Sequence, residues 1–391
     1  MKRESNCKPA SSAVSKPGVY PNMLLVGAAG RNAGKTALCC SIIRNTSQRH
    51  KLIGVKVTAI DEGSAACPHG KGCGACGTLQ GDFSIVEEDG GDSHKDTARM
   101  LEAGASRAFW LRARRSCLRE GIAALMCEIG EDAIVVCEST SARASVEPGL
   151  FLIAKRSGSD ERKMSARAAW NLADRIVSFD GRSFDLEIED VHAACGRWAL
   201  RENATAIVMA GGESSRMGRD KALLEIIGTP MIQHIADQLR PHFKEILISA
   251  NDPVKYSFLD LPVVVDHEKG RGPLMGIASA LAASKHDLNF VHACDIPHSD
   301  IHLVHRMVRL ADDCDALIPR TPEGNEPLFA VYRKSALTAI RESLKHGDGR
   351  ISSIFDACNV KFLDLPEGVR FMNLNMPEEY SSYMRSLAER F

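Results

Sequence analysis

The sequence predicts two α/β units in tandem, each a mostly parallel sheet with helices on both faces. Three observations carry this expectation. Short apolar runs alternate with helical patterns through both halves, as they do when parallel strands are joined by crossover helices. In each half an early apolar run opens into a glycine-rich, cationic stretch, at 27–36 and again at 206–221. The 391 residues suffice for two cores of ordinary domain size.

Residues 1–21 hold Lys, Ser and Pro without periodicity and read as a disordered arm. The first unit, 22–202, has strand patterns at 23–26, 52–57, 108–111, 133–137, 150–154 and 175–179. Helical patterns lie at 96–103, 117–129, 166–172 and 188–201. The second unit, 203–391, has strand patterns at 206–209, 245–249, 263–265, 288–293, 316–319 and 328–332. Helices fit 230–239, 275–283, 302–311, 335–345 and 351–358. No short repeat runs through the chain, which excludes solenoids and propellers.

Composition narrows the function classes. A formal net charge of -1 gives no whole-chain field to draw nucleic acid or anionic lipid. Five tyrosines and three tryptophans are poor material for a base-stacking surface, so nucleic acid is not an expected partner. The first 22 residues lack an apolar signal core, and no run approaches the ~18 apolar residues that span a bilayer. No membrane association is expected, and the chain reads as cytoplasmic. Thirteen scattered cysteines then read as reduced thiols, with Cys39, Cys40 and Cys137 packing as small hydrophobes.

In the first unit Gly34-Lys35-Thr36 follows a strand pattern and opens a helical one. Glycines there bring backbone amides to a phosphate, Lys35 reaches the outer phosphates, and Thr36 supplies a hydroxyl to magnesium. Gly30 and Gly34 are the candidate backbone positions, although the usual first glycine of such a loop falls on Ala29. Glu138, past the apolar run 134–137, stands where a second, magnesium-side carboxylate is expected. The loop and its placement resemble P-loop NTPases of the dethiobiotin synthetase and MobB type, the latter GTP-binding accessory proteins of molybdenum cofactor synthesis. Between the second and third strand patterns, Cys67, Cys73 and Cys76 stand in a C-x5-C-x2-C spacing with His69 nearby. That spacing suits a zinc ion, an iron–sulfur cluster or a redox dithiol, and nothing in a MobB-type protein requires it.

The second unit is organised around AIVMAGGESSRMGRDK, 206–221. After the apolar run come Gly211-Gly212, whose missing Cβ atoms allow close phosphate approach, and the cations Arg216, Arg219 and Lys221. Arg216 and Lys221 are candidate catalytic charges for a polyphosphate. Asp295 ends another apolar run, two residues before Pro297. That places a carboxylate at the carboxyl edge of the sheet, where open α/β sheets bind ligands. Magnesium commonly takes one or two carboxylates plus substrate phosphates, and Asp295 is the candidate.

The full 206–221 string resembles the nucleotidyltransferase signature and, within it, the molybdenum cofactor guanylyltransferase (MobA) family. Ser249-Ala250-Asn251, Asp266, Gly270–Gly276, His292–Pro297, Glu326–Phe329 and Asn373–Pro377 follow the family's segments in order. Met275 replaces a small residue, and Asn-Met-Pro the usual Asn-Thr-Pro. The resemblance implies a Rossmann-like nucleotidyltransferase domain beside a P-loop NTPase-like one. It implies nucleotide contacts from Met209, Ala210, Gly211, Gly212, Lys221, Asn251, Asp266 and Asp295, with Asp295 on Mg2+. The implied reaction moves GMP from Mg·GTP to molybdopterin or Mo-molybdopterin and releases pyrophosphate, with molybdoenzymes or their chaperones downstream. A cytidylyltransferase of the same cofactor, or one acting on a sugar or isoprenoid phosphate, is the alternative in the same class. A cofactor carrier or adapter is the alternative outside it. Ala210-Gly211-Gly212, where cytidylyltransferases more often carry Ala-Ala-Gly, favours guanine.

Overall fold

A computed structural model describes residues 2–5, 16–61, 79, 81–90, 95–160, 163–211 and 220–388. The chain divides into two compact units, Met1–Leu200 and Arg201–Phe391.

The first unit contains, in chain order, β1 (Lys2–Ser5), β2 (Gly18–Ala28), α1 (Lys35–Thr46), β3 (Leu52–Ile60), β4 (Phe83–Glu87) and α2 (Asp96–Glu102). There follow β5 (Arg107–Arg114), α3 (Leu118–Ile129), β6 (Ile134–Glu138), β7 (Val146–Arg156), α4 (Met164–Ala169), β8 (Arg175–Phe179), β9 (Val191–Ala194) and β10 (Arg197–Leu200). Its sheet runs β1-β4-β5-β3-β6-β2-β7-β8 and is parallel from β5 to β8. Alternate residues of β2 feed opposite cores. Met23 and Leu25 pack on the α3 side, while Leu24, Val26 and Ala28 pack on the α1 and α2 side. A strand buried on both faces reads as an unbroken apolar run, which is why its tip can carry a loop into a protected place.

Two expectations for this unit are corrected. The stretch 1–21 is not structureless throughout: Lys2–Ser5 pair antiparallel with Phe83–Val86, and Gly18 already begins β2. The exposed backbone edge of β4 supplies the partner groups, a template that composition does not reveal. The helix expected over 188–201 is instead a single turn of 3-10 helix followed by the β9–β10 hairpin. Cys195 (φ 49) and Gly196 (φ 73) form its turn, and two consecutive positive φ angles belong to a two-residue hairpin, not to a helix. Trp198 is thereby buried, with its indole N–H donating to Val135 O at 2.9 Å.

The second unit contains β11 (Glu202–Met209), β12 (Glu225–Ile226), β13 (Thr229–Pro230), α5 (Met231–Leu239), β14 (Phe243–Ser249), β15 (Val263–Val264) and α6 (Pro273–Ala283). It continues with β16 (Leu288–Ala293), α7 (Ile301–Leu310), β17 (Ala316–Thr321), β18 (Gly324–Asn325), β19 (Phe329–Arg333), α8 (Leu337–Lys345), β20 (Val360–Asp364) and α9 (Pro377–Ala388). The sheet order is β15-β14-β11-β16-β19-β17-β18, with β20 beside β17. β11 is central and parallel to both β14 and β16, so the chain reverses its direction of growth there and opens a crevice at the carboxyl ends. Ala204, Ala206 and Val208 pack against α5 and α7, while Ile207 and Met209 pack against α6. The sheet is not parallel throughout. β19 runs antiparallel between β16 and β17, because a tight hairpin at β18 returns the chain directly. At 351–358 only the turn of 3-10 helix Ile351–Ile354 forms. Among the described residues no helix is long and apolar enough to cross a membrane.

Candidate active site

At the tip of β11, Met209, Ala210 and Gly211 line one cleft together with Asp220, Lys221 and Asp295. The sheet register explains the meeting. Met209 pairs with Ala293 of β16, Cys294 N donates to Met209 O at 3.0 Å, and Asp295 therefore emerges beside Gly211. Asp295 is half-buried, and burial pushes its carboxyl above the usual range; Lys221 pulls it back down and Glu379 adds to the rise. Lys221 donates to Asn375 Oδ1 at 2.6 Å, and Leu374 N donates to Asp295 O at 2.8 Å. The segment before α9 thus holds the lysine and the acid in one frame. Cys294 lines the same cleft, its thiol pushed up to about 12 by burial.

The two other expected nucleotide residues pair with each other. Asn251 donates to Asp266 Oδ2 at 2.8 Å, and Asp266 N donates back to Asn251 Oδ1 at 3.1 Å. Neither lines the cleft around Asp295. They stand close by, because a Cβ on Gly276 of α6 would lie 2.7 Å from Met209 Cε, 3.0 Å from Ser249 Oγ and 3.4 Å from Asp266 Oδ1. A side chain there would make the Met209, Ser249 and Asp266 side chains shift. Gly212 and Arg216 lie outside the described residues, as do Cys67, Cys73 and Cys76. Among the described residues no group of three or more His, Cys, Asp or Glu could hold a metal ion.

Several residues of this site were not among the expected ones. Asn375 sits in the quoted Asn-Leu-Asn segment, so its signal was present. Asp220 and Glu326 likewise stand in segments singled out by motif, 206–221 and 326–329, whereas Tyr256 gave no signal. Glu326 is pushed up by burial and next by the charge of Asp295. Two histidines of this unit, His292 and His305, are buried core partners. His292 hydrogen-bonds Ser299 Oγ at 2.9 Å, and burial lowers it to about 4. His305 meets Glu202 at 2.6 Å and His242 at 3.2 Å.

In the first unit Gly34 caps α1 at φ 80, and a Cβ there would stand 2.6 Å from the Phe179 ring. Lys35 Nζ lies 3.2 Å from Glu138 Oε1, while the buried Glu138 Oε2 has no hydrogen-bond partner. Thr36 donates to Asp96 Oδ1 at 3.1 Å, and Asp96 also pairs with Lys56. Burial pushes the Asp96 carboxyl up, but the bond and charge of Lys56 with the Thr36 bond hold it below its ordinary value. Lys35, Thr36 and Glu138 are thus together, with Asp96 and Lys56 added. Gly30 lines a separate polar hollow with Arg31 and Arg156.

A family model described as MobA-like NTP transferase domain matches residues 206–361. The probable molybdenum cofactor guanylyltransferase of Carboxydothermus hydrogenoformans is 32% identical over 191 residues, spanning 47% of this chain and 96% of that protein. The chain belongs to the molybdenum cofactor guanylyltransferase family. Membership rests on its C-terminal unit. The guanylyltransferase of Vibrio vulnificus is 34% identical over 186 residues, spanning 45% of this chain and 93% of that protein. A solved structure of molybdopterin-guanine dinucleotide biosynthesis protein A from Archaeoglobus fulgidus aligns at a TM-score of 0.43. It is 23% identical and covers 47% of this chain and 99% of that one. Residues 1–200 lie outside the matched family segment.

The raised Asp295 carboxyl has a consequence for stability. A carboxyl raised above its unfolded value adds stability only at low pH, and that stability is lost as pH rises through the folded value. Asp295→Asn should therefore raise the melting temperature of the metal-free protein more at pH 8 than at pH 4.5. An equal change at both values would contradict a buried, under-compensated acid.

Proposed function

We infer that the C-terminal unit transfers GMP from Mg·GTP to molybdopterin or Mo-molybdopterin. The observation that carries this is the convergence of Gly211, Lys221 and Asp295 on one cleft in a member of this family. A terminal phosphate oxygen of the acceptor would attack the α-phosphorus of GTP as the α–β phosphoanhydride bond breaks and pyrophosphate leaves. A phosphate monoester has a second pKa of about 6 and is largely dianionic at neutral pH, so no general base is required. The protein's task is then alignment and charge stabilisation.

The donor set suits magnesium: a half-buried carboxylate that burial disfavours, open to a phosphate-sized cleft. Asp295 would hold the ion, which when bound neutralises phosphate charge. Lys221 would stabilise the departing pyrophosphate, with Arg216 its expected companion. Asn251 and Asp266 are proposed for the nucleoside end, and the Ala210-Gly211-Gly212 string favours guanine. The product would pass to molybdoenzymes or their chaperones. Asp295→Ala should lower pyrophosphate release from GTP and molybdopterin by at least about 10²-fold, with GTP preferred over CTP in the parent. Preference for CTP would overturn the base assignment, and an active Asp295→Ala protein would overturn the site.

For the first unit we propose a P-loop-type nucleotide site of the MobB kind. Supporting it are the left-handed Gly34 cap, Lys35 against Glu138, and the unpartnered buried Glu138 oxygen beside them. Thr36 and Glu138 would face magnesium. The Cys67, Cys73 and Cys76 spacing is kept as a zinc or iron–sulfur proposal, decided by metal and sulfide analysis of anaerobically purified protein. Lys35→Ala should abolish one of two equivalents of bound nucleotide while leaving guanylyl transfer within about twofold. A single equivalent in both proteins would remove the second site.

A further inference from the structure

We propose that Tyr256 is a positioning residue of the guanylyl-transfer site, clasping the two ends of the 210–220 signature segment. The proposal rests on the reading of the cleft around Asp295 as the nucleotide site. Tyr256 is buried, at 2% exposure, on the turn between β14 and β15. Its hydroxyl donates to Asp220 Oδ2 at 2.9 Å and lies 3.4 Å from the carbonyl oxygen of Ala210. One phenol oxygen thus reaches both the residue that leaves β11 and the residue at which the chain returns.

Asp220 is shared three ways. Besides Tyr256 it accepts Ala222 N at 3.0 Å, capping the turn of 3-10 helix Lys221–Leu223, and it forms an ion pair with Lys255. Ala210 is anchored separately, its N–H donating to Ser249 O at 2.9 Å. The residue after each clasped position lines the Asp295 cleft: Gly211 follows Ala210, and Lys221 follows Asp220. Fixing 210 against 220 therefore fixes the spacing between a backbone amide and an ammonium that are to grip one polyphosphate. Without the clasp that spacing would have to be set on binding, at a cost in nucleotide affinity. The acceptor, which meets the α-phosphorus from the other side, would not share this cost.

A hydrogen bond to a charged partner is worth enough to change an equilibrium about tenfold. In the full chain carrying Lys35→Ala, so that the N-terminal site is silent, Tyr256→Phe should raise the KM for Mg·GTP and its calorimetric Kd about tenfold. The kcat and the KM for molybdopterin should stay within about twofold. Asp220→Asn should weaken GTP comparably, and the double variant should be little weaker than either single one. Unchanged GTP affinity, an equal rise in the acceptor KM, or simple addition of the two losses would overturn the clasp. Should Tyr256→Phe not fold, Asp220→Asn carries the same GTP-against-acceptor comparison. Pyrophosphate release by the parent protein tests the underlying reading independently of either variant.

Discussion

The second unit depends on holding an acid where burial opposes its charge. Asp295 stands at the carboxyl edge of a sheet whose central strand is buried on both faces, and its ionised form is offset chiefly by Lys221. Such an arrangement is unfavourable in the empty protein and becomes favourable when a cation and phosphates enter. The rest of the unit keeps that imbalance in place. β16 aligns Asp295 with Gly211, the segment before α9 ties both Asp295 and Lys221, and Gly276 lets α6 close on Met209.

The two units solve a similar problem with different balances. Each has a glycine just past the tip of a doubly buried parallel strand, Gly30 in the first and Gly211 in the second. In the first unit the loop lysine is already paired: Lys35 sits on Glu138, and the neighbouring Lys56 on Asp96. In the second, Lys221 bonds a neutral amide, Asn375, and its charge lowers the Asp295 carboxyl.

Central strands were legible in the sequence because full burial writes an unbroken apolar run. What the sequence hid was long-range pairing. The run 188–201 has helical spacing, yet Cys195-Gly196 turns it back as a hairpin, and the tertiary fit of Trp198 overrides local pattern. β19 carries the same residue types as a parallel strand, so its antiparallel direction appears only with the β18 hairpin. Asp295, Lys221 and Gly211 could be chosen from motif and strand position. Asp220 stands in the same motif, but its bond to Tyr256 was not legible, since an aromatic and an acid 36 positions apart declare no partnership until folded.

The most direct measurement is a crystal structure of the full chain with magnesium and a GTP analogue bridged by an unreactive α–β linkage. The account predicts the metal on Asp295 and the triphosphate lying between Gly211 and Lys221. A nucleotide found only at Lys35 and Thr36, with no metal on Asp295 and nothing against Gly211, would contradict it.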